Sequence, residues 1–123
     1  MAQPNIVNVS NIKAETRGRN LTTSTTDALL ANAASSGTVY KINALMVANV
    51  DGTNSATLDV KIVRGTTNAG TYFIVKALTI GAGVTADILS RPVYLEEDDT
   101  LVATASANSD LDAIVSYEAI TDA

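Results

Sequence analysis

Hydrophobic and polar residues alternate with a period of two along much of the 123-residue chain. Between Ala56 and Ile62 every second residue is apolar, and the intervening residues are threonine, aspartate and lysine. Successive side chains of a β-strand point to opposite faces, so this pattern predicts a strand with one buried and one solvated face. The last predicted strand, Leu111 to Ala119, alternates in the same way, except that the apolar Ile114 falls on its polar face.

A longer strand is predicted from Val39 to Val50. Strict alternation places Leu45 and Val47 on one face and a second apolar set on the other: Tyr40, Ile42, Ala44, Met46 and Ala48. The second half of this strand is therefore apolar on both faces, which is typical of a covered central strand or of a subunit contact. We accordingly take Leu45 and Val47 as candidate partner contacts.

Turn signals separate the predicted strands about every ten residues. Asp51-Gly52 has the composition of a tight hairpin, Gly81-Ala82-Gly83 turns the chain, and Pro92 suits a strand start or an edge. A short strand is predicted within Ala28 to Ala34. The pattern predicts an all-β fold, a two-sheet antiparallel β-sandwich of about eight strands with jelly-roll-like connections.

Residues 1–24 differ from the rest, because their few apolar residues are scattered among asparagine, serine and threonine. We predict a first strand with an extended N-terminal arm over residues 1–24 and the sandwich domain over residues 25–123. A frayed terminus is the alternative. The arm supplies the other candidate partner contacts: Ile6, Val7, Val9, Ile12, Arg17 and Arg19.

The chain contains no cysteine and no histidine. Disulfides, thiolate metal sites and histidine-dependent catalytic triads are therefore excluded, and with them most catalytic zinc sites. We expect no enzymatic activity and no cofactor. Aromatic residues make up only 4% of the chain, so small aliphatic side chains must supply the core.

The formal net charge is −5 and the eight basic residues are scattered. Binding to nucleic acid needs clustered lysine and arginine, and an anionic membrane surface has the same requirement, so neither is an expected partner. No apolar run approaches the length of about 20 residues that a spanning helix needs. The N-terminus has no basic and apolar segments of a secretory signal.

Carboxylates cluster only at Glu96-Glu97-Asp98-Asp99. This run is either a calcium site or a solvated acidic turn, and it lacks the alternating spacing of an EF-hand loop. Asp59, Asp87 and this run are also candidates for the carboxylate pair of a glycosidase. The absence of tryptophan disfavours a sugar-binding cleft, and the four tyrosines fall in predicted strands, which favours packing roles.

Several segments resemble small structural proteins of tailed bacteriophages, particularly phages of aquatic bacteria. The resemblance lies in residues 32–43 (NAASSGTVYKIN), 47–53 (VANVDGT), 94–101 (YLEEDDTL) and 105–111 (ASANSDL), and at Tyr117-Glu118. It covers most of the chain from about Ala28 onward. These proteins usually have glycine where this chain has Asp98.

The resemblance implies a virion component with a β-sandwich body, present in many copies on the capsid exterior after synthesis in the host cytoplasm. Within that class we expect a capsid decoration, or cement, protein that binds the major capsid protein across its joints and forms a homotrimer. A neck, collar or tail-fibre protein is the alternative within virions. A glycan-binding adhesion module is the alternative from another class.

Overall fold

The computed structural model describes residues 8–122, and this part of the chain is all-β. It forms nine strands, β1 (Val9–Asn20), β2 (Ala28–Ala31), β3 (Thr38–Asn49), β4 (Ala56–Arg64), β5 (Gly70–Ile80), β6 (Thr85–Asp87), β7 (Val93–Leu95), β8 (Asp99–Ala105) and β9 (Leu111–Asp122). Two of the candidate contacts, Ile6 and Val7, lie outside the described residues.

The strands form two antiparallel sheets that pack against each other as a β-sandwich. Sheet A has the order β1-β9-β3, with β6 and β7 both pairing with the far side of β3, and sheet B has the order β2-β8-β4-β5. The pairings are nested along the sequence: β4 with β5, β3 with β6 and β7, β2 with β8, and β1 with β9. This nesting is the jelly-roll arrangement that the sequence predicted.

β6 and β7 both pair with β3 and are separated by an interruption at residues 88–92. The interruption contains Pro92, whose nitrogen has no hydrogen to donate to a ladder. Both pieces have only three residues. The edge of sheet A that β6 and β7 form is therefore short and irregular. Sheet B, in contrast, ends in the long edge strand β5.

A β-bulge in β3 overturns one predicted face. The register of β3 against β9 shifts between Ile42 and Ala44. Ile42 points into the core, and after the shift Leu45 and Val47 do so as well, while Met46 lies exposed. The predicted continuation of one face from Ile42 to Met46 is wrong, because one extra residue moves every later side chain to the opposite face.

The predicted hairpin at Asp51-Gly52 is also wrong. β3 belongs to sheet A and β4 to sheet B, so the intervening loop crosses between the sheets. Gly52 does not have positive φ. The Asp51 carboxylate instead accepts hydrogen bonds from the backbone N–H groups of Thr53 and Asn54, at 2.8 and 3.3 Å, and these bonds shape the loop.

The described part of the predicted arm belongs to the sandwich. β1 pairs with β9 along nearly its whole length, with a register shift between Val9 and Asn11. Within residues 8–122, the predicted boundary at residue 24 therefore does not divide the chain into two structural units. Leu21, which follows β1, is buried and donates its N–H to the Leu111 carbonyl at 2.8 Å, so the chain is held where it leaves the strand.

The core lies between the two inner faces and consists of aliphatic side chains. The predicted alternation in β4 and β9 is confirmed, since Leu58 and Val60 are fully buried, as are Ala113 and Val115. Among the described residues, the largest fully buried side chains are all leucine, isoleucine and valine: Leu21, Leu29, Leu30, Ile42, Leu45, Leu58, Ile80, Leu95, Leu101, Leu111, Val47 and Val60. Such side chains fill a thin space between sheets without the volume of large aromatic rings.

Candidate functional site

Four of the candidate contacts lie on or near surfaces that β1 exposes. β1 is an edge strand, and no strand pairs with its outer side in the described part of the chain. Ile12 is 55% exposed and Arg17 is also exposed, whereas Val9 is half-buried. Arg19 is engaged within the chain, with an ion pair to Asp27 at 3.2 Å and a hydrogen bond to the Ala28 carbonyl at 2.7 Å.

The inward-facing positions of β1 carry charges. Lys13, Glu15, Arg17 and Arg19 are register partners of core-facing residues of β9. Charged side chains at such positions discourage indiscriminate pairing with other strand edges. The Tyr117 hydroxyl donates a hydrogen bond to Glu15, and this bond, followed by the interaction with Lys13, lowers the pKa of Glu15.

Leu45 and Val47 cannot contact a partner. Both are fully buried within the core of the single chain, so the prediction for these two residues is wrong. The apolar residue that β3 does expose is Met46, whose register partner is Ile114 on β9. Met46 is 39% and Ile114 is 44% exposed, and Gly18 on β1 continues the same row without a side chain.

Carboxylates border this exposed pair. Asp87 is the register partner of Met46 on β6, and Asp112 lies two residues from Ile114 on the same face of β9. Asp112 accepts a hydrogen bond from Asn20 at 2.6 Å. No lysine or arginine among residues 8–122 forms an ion pair with either carboxylate. We call Met46, Ile114, Asp87 and Asp112 the acidic face.

A surface of opposite charge lies on the outer side of sheet B. Phe73 on β5 is 48% exposed, and the Nζ atoms of Lys76 and Lys61 lie 4.7 and 5.9 Å from the centre of its ring. Lys76 also forms an ion pair with Asp59 at 3.2 Å, while Lys61 forms no ion pair in the described part of the chain. We call Phe73, Lys61 and Lys76 the lysine patch.

The Asp59 carboxylate holds a bulge of β5 beneath the lysine patch. It accepts a hydrogen bond from the Ala77 N–H at 2.7 Å, where Ala77 has a left-handed φ of 53°. This hydrogen bond, with the nearby Lys76, lowers the pKa of Asp59. The bulge therefore fixes Lys76 close to Phe73.

The acidic turn at residues 96–99 is engaged in intramolecular contacts. Arg64 on β4 pairs with Glu96 and, through Nε, with Asp99 at 3.2 Å. Glu97 accepts a hydrogen bond from the Gly37 N–H at 2.6 Å, and Asp98 accepts one from the Thr66 hydroxyl at 2.7 Å. These carboxylates are engaged by other groups of the protein, and no group of residues between 8 and 122 has the arrangement of a metal site. The calcium interpretation is therefore not supported by the geometry of the turn.

Asp98 has a left-handed φ of 68°. This is the position where the resembled phage proteins usually have glycine. Glycine adopts positive φ without steric cost, and aspartate is among the few other residues that tolerate it. The turn geometry thus accommodates the departure from that pattern.

Replacing Gly65 by alanine is expected to lower the free energy of unfolding by about 2 kcal/mol, because overpacking forces the backbone to shift. The added methyl group would lie 2.8 Å from the Asp98 carbonyl oxygen and would overlap the Asp98 carboxylate. Urea-induced unfolding measures the change. Gly52→Ala is the control, because nothing lies within 4 Å of its added methyl group. Equal stability of the two variants would contradict the close packing of Gly65 on the turn.

Comparison with known proteins gives no family for this fold. No protein-family model and no curated protein matches the chain. Between residues 8 and 122 there is no helix long and apolar enough to cross a membrane.

Sequence reasoning missed the acidic face and the lysine patch. The signal for the first was Ile114, the apolar residue out of phase in β9. The patch has no signal of this kind, because Lys61 and Phe73 lie 12 residues apart in the sequence and become register partners only when β4 pairs with β5.

Proposed function

We propose that this protein is a non-enzymatic structural component of a virion, and specifically a capsid decoration protein of a tailed bacteriophage. It binds the capsid exterior across joints between major capsid protein subunits and stabilises the head by adding contacts there. It acts as a homo-oligomer, with a trimer as the expected form. Many linked contacts then give a high overall affinity even where each contact is weak.

The free edge of β1 is the observation that carries this proposal. Among residues 8–122 no strand pairs with the outer side of β1, which also exposes the side chains of Ile12 and Arg17. The segments that resemble tailed-phage structural proteins provide further support, and so does the jelly-roll body. The contact chemistry that we propose is apolar burial at Ile12 and an ion pair from Arg17 to a capsid carboxylate.

Replacing Ile12 by aspartate is expected to reduce occupancy on purified particles about tenfold, because a contact at the centre of an interface loses its apolar burial. Quantitative mass spectrometry of particles assembled with each variant measures the copy number. Val84→Asp is the matched control, since Val84 is similarly exposed and immediately precedes β6, at the edge of sheet A opposite β1. Removal of residues 1–7 tests Ile6 and Val7 in the same assay.

The copy number of the unmodified protein tests the proposal as a whole. Hundreds of copies per particle are expected of a decoration protein, whereas about a dozen would favour the neck, collar or tail-fibre alternative. Unchanged occupancy of the Ile12→Asp variant would exclude β1 as the contact.

The glycan-binding alternative can be tested at a polar depression on the protein surface. Its volume is about 310 Å³, and it lies beside the β3 bulge, where Asn43, Ser116 and Glu118 line it. Tyr117 is its one aromatic lining residue, although sugar-binding sites usually stack the sugar on an exposed ring. Binding of the isolated protein to a glycan array would favour adhesion over decoration.

A further inference from the structure

The acidic face and the lysine patch are complementary in charge and in apolar character. The acidic face presents an apolar pair, Met46 and Ile114, beside two carboxylates without an ion-pair partner among residues 8–122. The lysine patch presents one aromatic ring beside two ammonium groups. The protein as a whole has a net charge of −5, so the patch is a local exception to its electrostatic character.

We propose that the lysine patch of one copy docks onto the acidic face of a second copy. Phe73 packs on Met46 and Ile114, and Lys61 and Lys76 approach Asp87 and Asp112. This inference rests on the proposed function for its expectation of a homo-oligomer and adds the surfaces that form it.

Like charges exclude the symmetric alternatives. Two acidic faces in contact would bring four carboxylates together, two from each copy, and no lysine or arginine among residues 8–122 forms an ion pair with them. Two lysine patches would oppose their ammonium groups in the same way. Juxtaposed like charges suppress association, whereas opposite charges steer it and fix its orientation. The contact is therefore head-to-tail.

Every copy carries both the acidic face and the lysine patch, and the two surfaces do not overlap. The acidic face is on the outer side of sheet A, and the lysine patch is on the outer side of sheet B at its edge strand. One copy can therefore engage a neighbour through each surface. A heterologous contact of this kind forms a ring when the rotation between successive copies closes, and an open filament when it does not.

Sedimentation velocity of the isolated protein tests this contact. The unmodified protein is expected to associate reversibly, with an apparent Kd that rises about tenfold between 0.05 and 0.5 M NaCl, because salt screens the charge pairs. Phe73→Asp and Ile114→Lys are each expected to weaken association at least about tenfold, since each places a like charge in the contact and removes its apolar centre.

Mixing the two variants provides the decisive measurement. The Phe73→Asp copy retains an intact acidic face, and the Ile114→Lys copy retains an intact lysine patch. A head-to-tail contact therefore predicts species that contain both variants at 1:1, although neither variant associates alone. Because both replaced side chains lie on the outer faces of the sheets and are nearly half exposed, circular dichroism and thermal unfolding should match those of the unmodified protein.

Tyr72→Asp is the matched control. Tyr72 is the neighbour of Phe73 on β5 and is similarly exposed, but its register partner is Ile62, so it lies on the opposite side of sheet B. It should leave association unchanged. Equal loss in this variant would overturn the proposal in favour of strand-edge pairing through β5. A monomer at all concentrations, or failure of the mixed variants to associate, would also overturn it, while particle binding through β1 would be unaffected.

Discussion

Replacing Arg64 by alanine is expected to lower the free energy of unfolding by about 3 kcal/mol, because it leaves a buried carboxylate without its cation. The Asp99 side chain is 2% exposed and the Arg64 side chain 19% exposed, so water cannot take the place of the guanidinium. Arg64 also pairs with Glu96, and one side chain thereby joins the end of β4 to both ends of the acidic turn. Urea-induced unfolding measures the loss.

The control for this variant removes an ion pair that is solvated. Lys13 and Glu15 approach to 3.4 Å on β1, and the Lys13 side chain is 67% exposed. Lys13→Ala should change the free energy of unfolding by less than about 0.5 kcal/mol, as is usual for exposed pairs. A loss of similar size in the two variants would mean that the Arg64 pair is no more shielded from solvent than the Lys13 pair.

The second large effect is expected at Leu45. Leu45→Ala should lower the free energy of unfolding by about 3 kcal/mol, since it removes buried methyl groups and leaves a cavity between the sheets. Met46→Ala, one residue further along β3, should change it by less than about 0.5 kcal/mol, because Met46 lies on the outer face.

This pair of variants measures the register of β3 directly. The bulge between Ile42 and Ala44 is what places Leu45 inside and Met46 outside. Without it, strict alternation would bury Met46 with Ile42 and expose Leu45. If Met46→Ala proved the more damaging change in thermal and urea unfolding, the bulge would be contradicted.

The acidic face differs from the rest of the outer surface of sheet A in how its polar and charged side chains are paired. Elsewhere on the same face, Thr16 and Ser116 are joined by a hydrogen bond at 3.0 Å, and Lys41 faces Glu118 across the ladder. The two hydroxyl groups are thereby satisfied within the chain, and Lys41 has a carboxylate as its register partner on the neighbouring strand. At Asp87 and Asp112 the charge is left for a partner, which is why the interface is placed there rather than over the whole sheet.

Several elements could be predicted because their determinants are local. Strand β4 buries alternate residues from Ala56 to Val60 and strand β9 from Leu111 to Tyr117, so the period-two pattern identifies both the strand and its inner side. Pro92 marks the interruption between β6 and β7 for an equally local reason, the missing N–H group. The exposed position of Ile12 agrees with its predicted contact role, but that role and that of Arg17 stay predictions.

Other features depend on which strands become neighbours. Asp51-Gly52 has hairpin composition, yet β3 and β4 belong to different sheets, because β3 pairs with β9 and β4 with β8. The roles of Leu45 and Val47 were misjudged for a related reason. A β-bulge places one extra residue in one of two paired strands, so the sequence of either strand alone does not reveal it.

The amino-acid sequence by itself determined the all-β class, the two-sheet sandwich and the absence of histidine and cysteine chemistry, because alternation and composition are properties of the chain alone. Only the tertiary structure decided which side chains meet at the surface. The acidic face joins residues of β3, β6 and β9, and the lysine patch joins residues of β4 and β5. Surfaces of this kind arise from pairing between distant segments, and that pairing is chosen by the burial of the whole core.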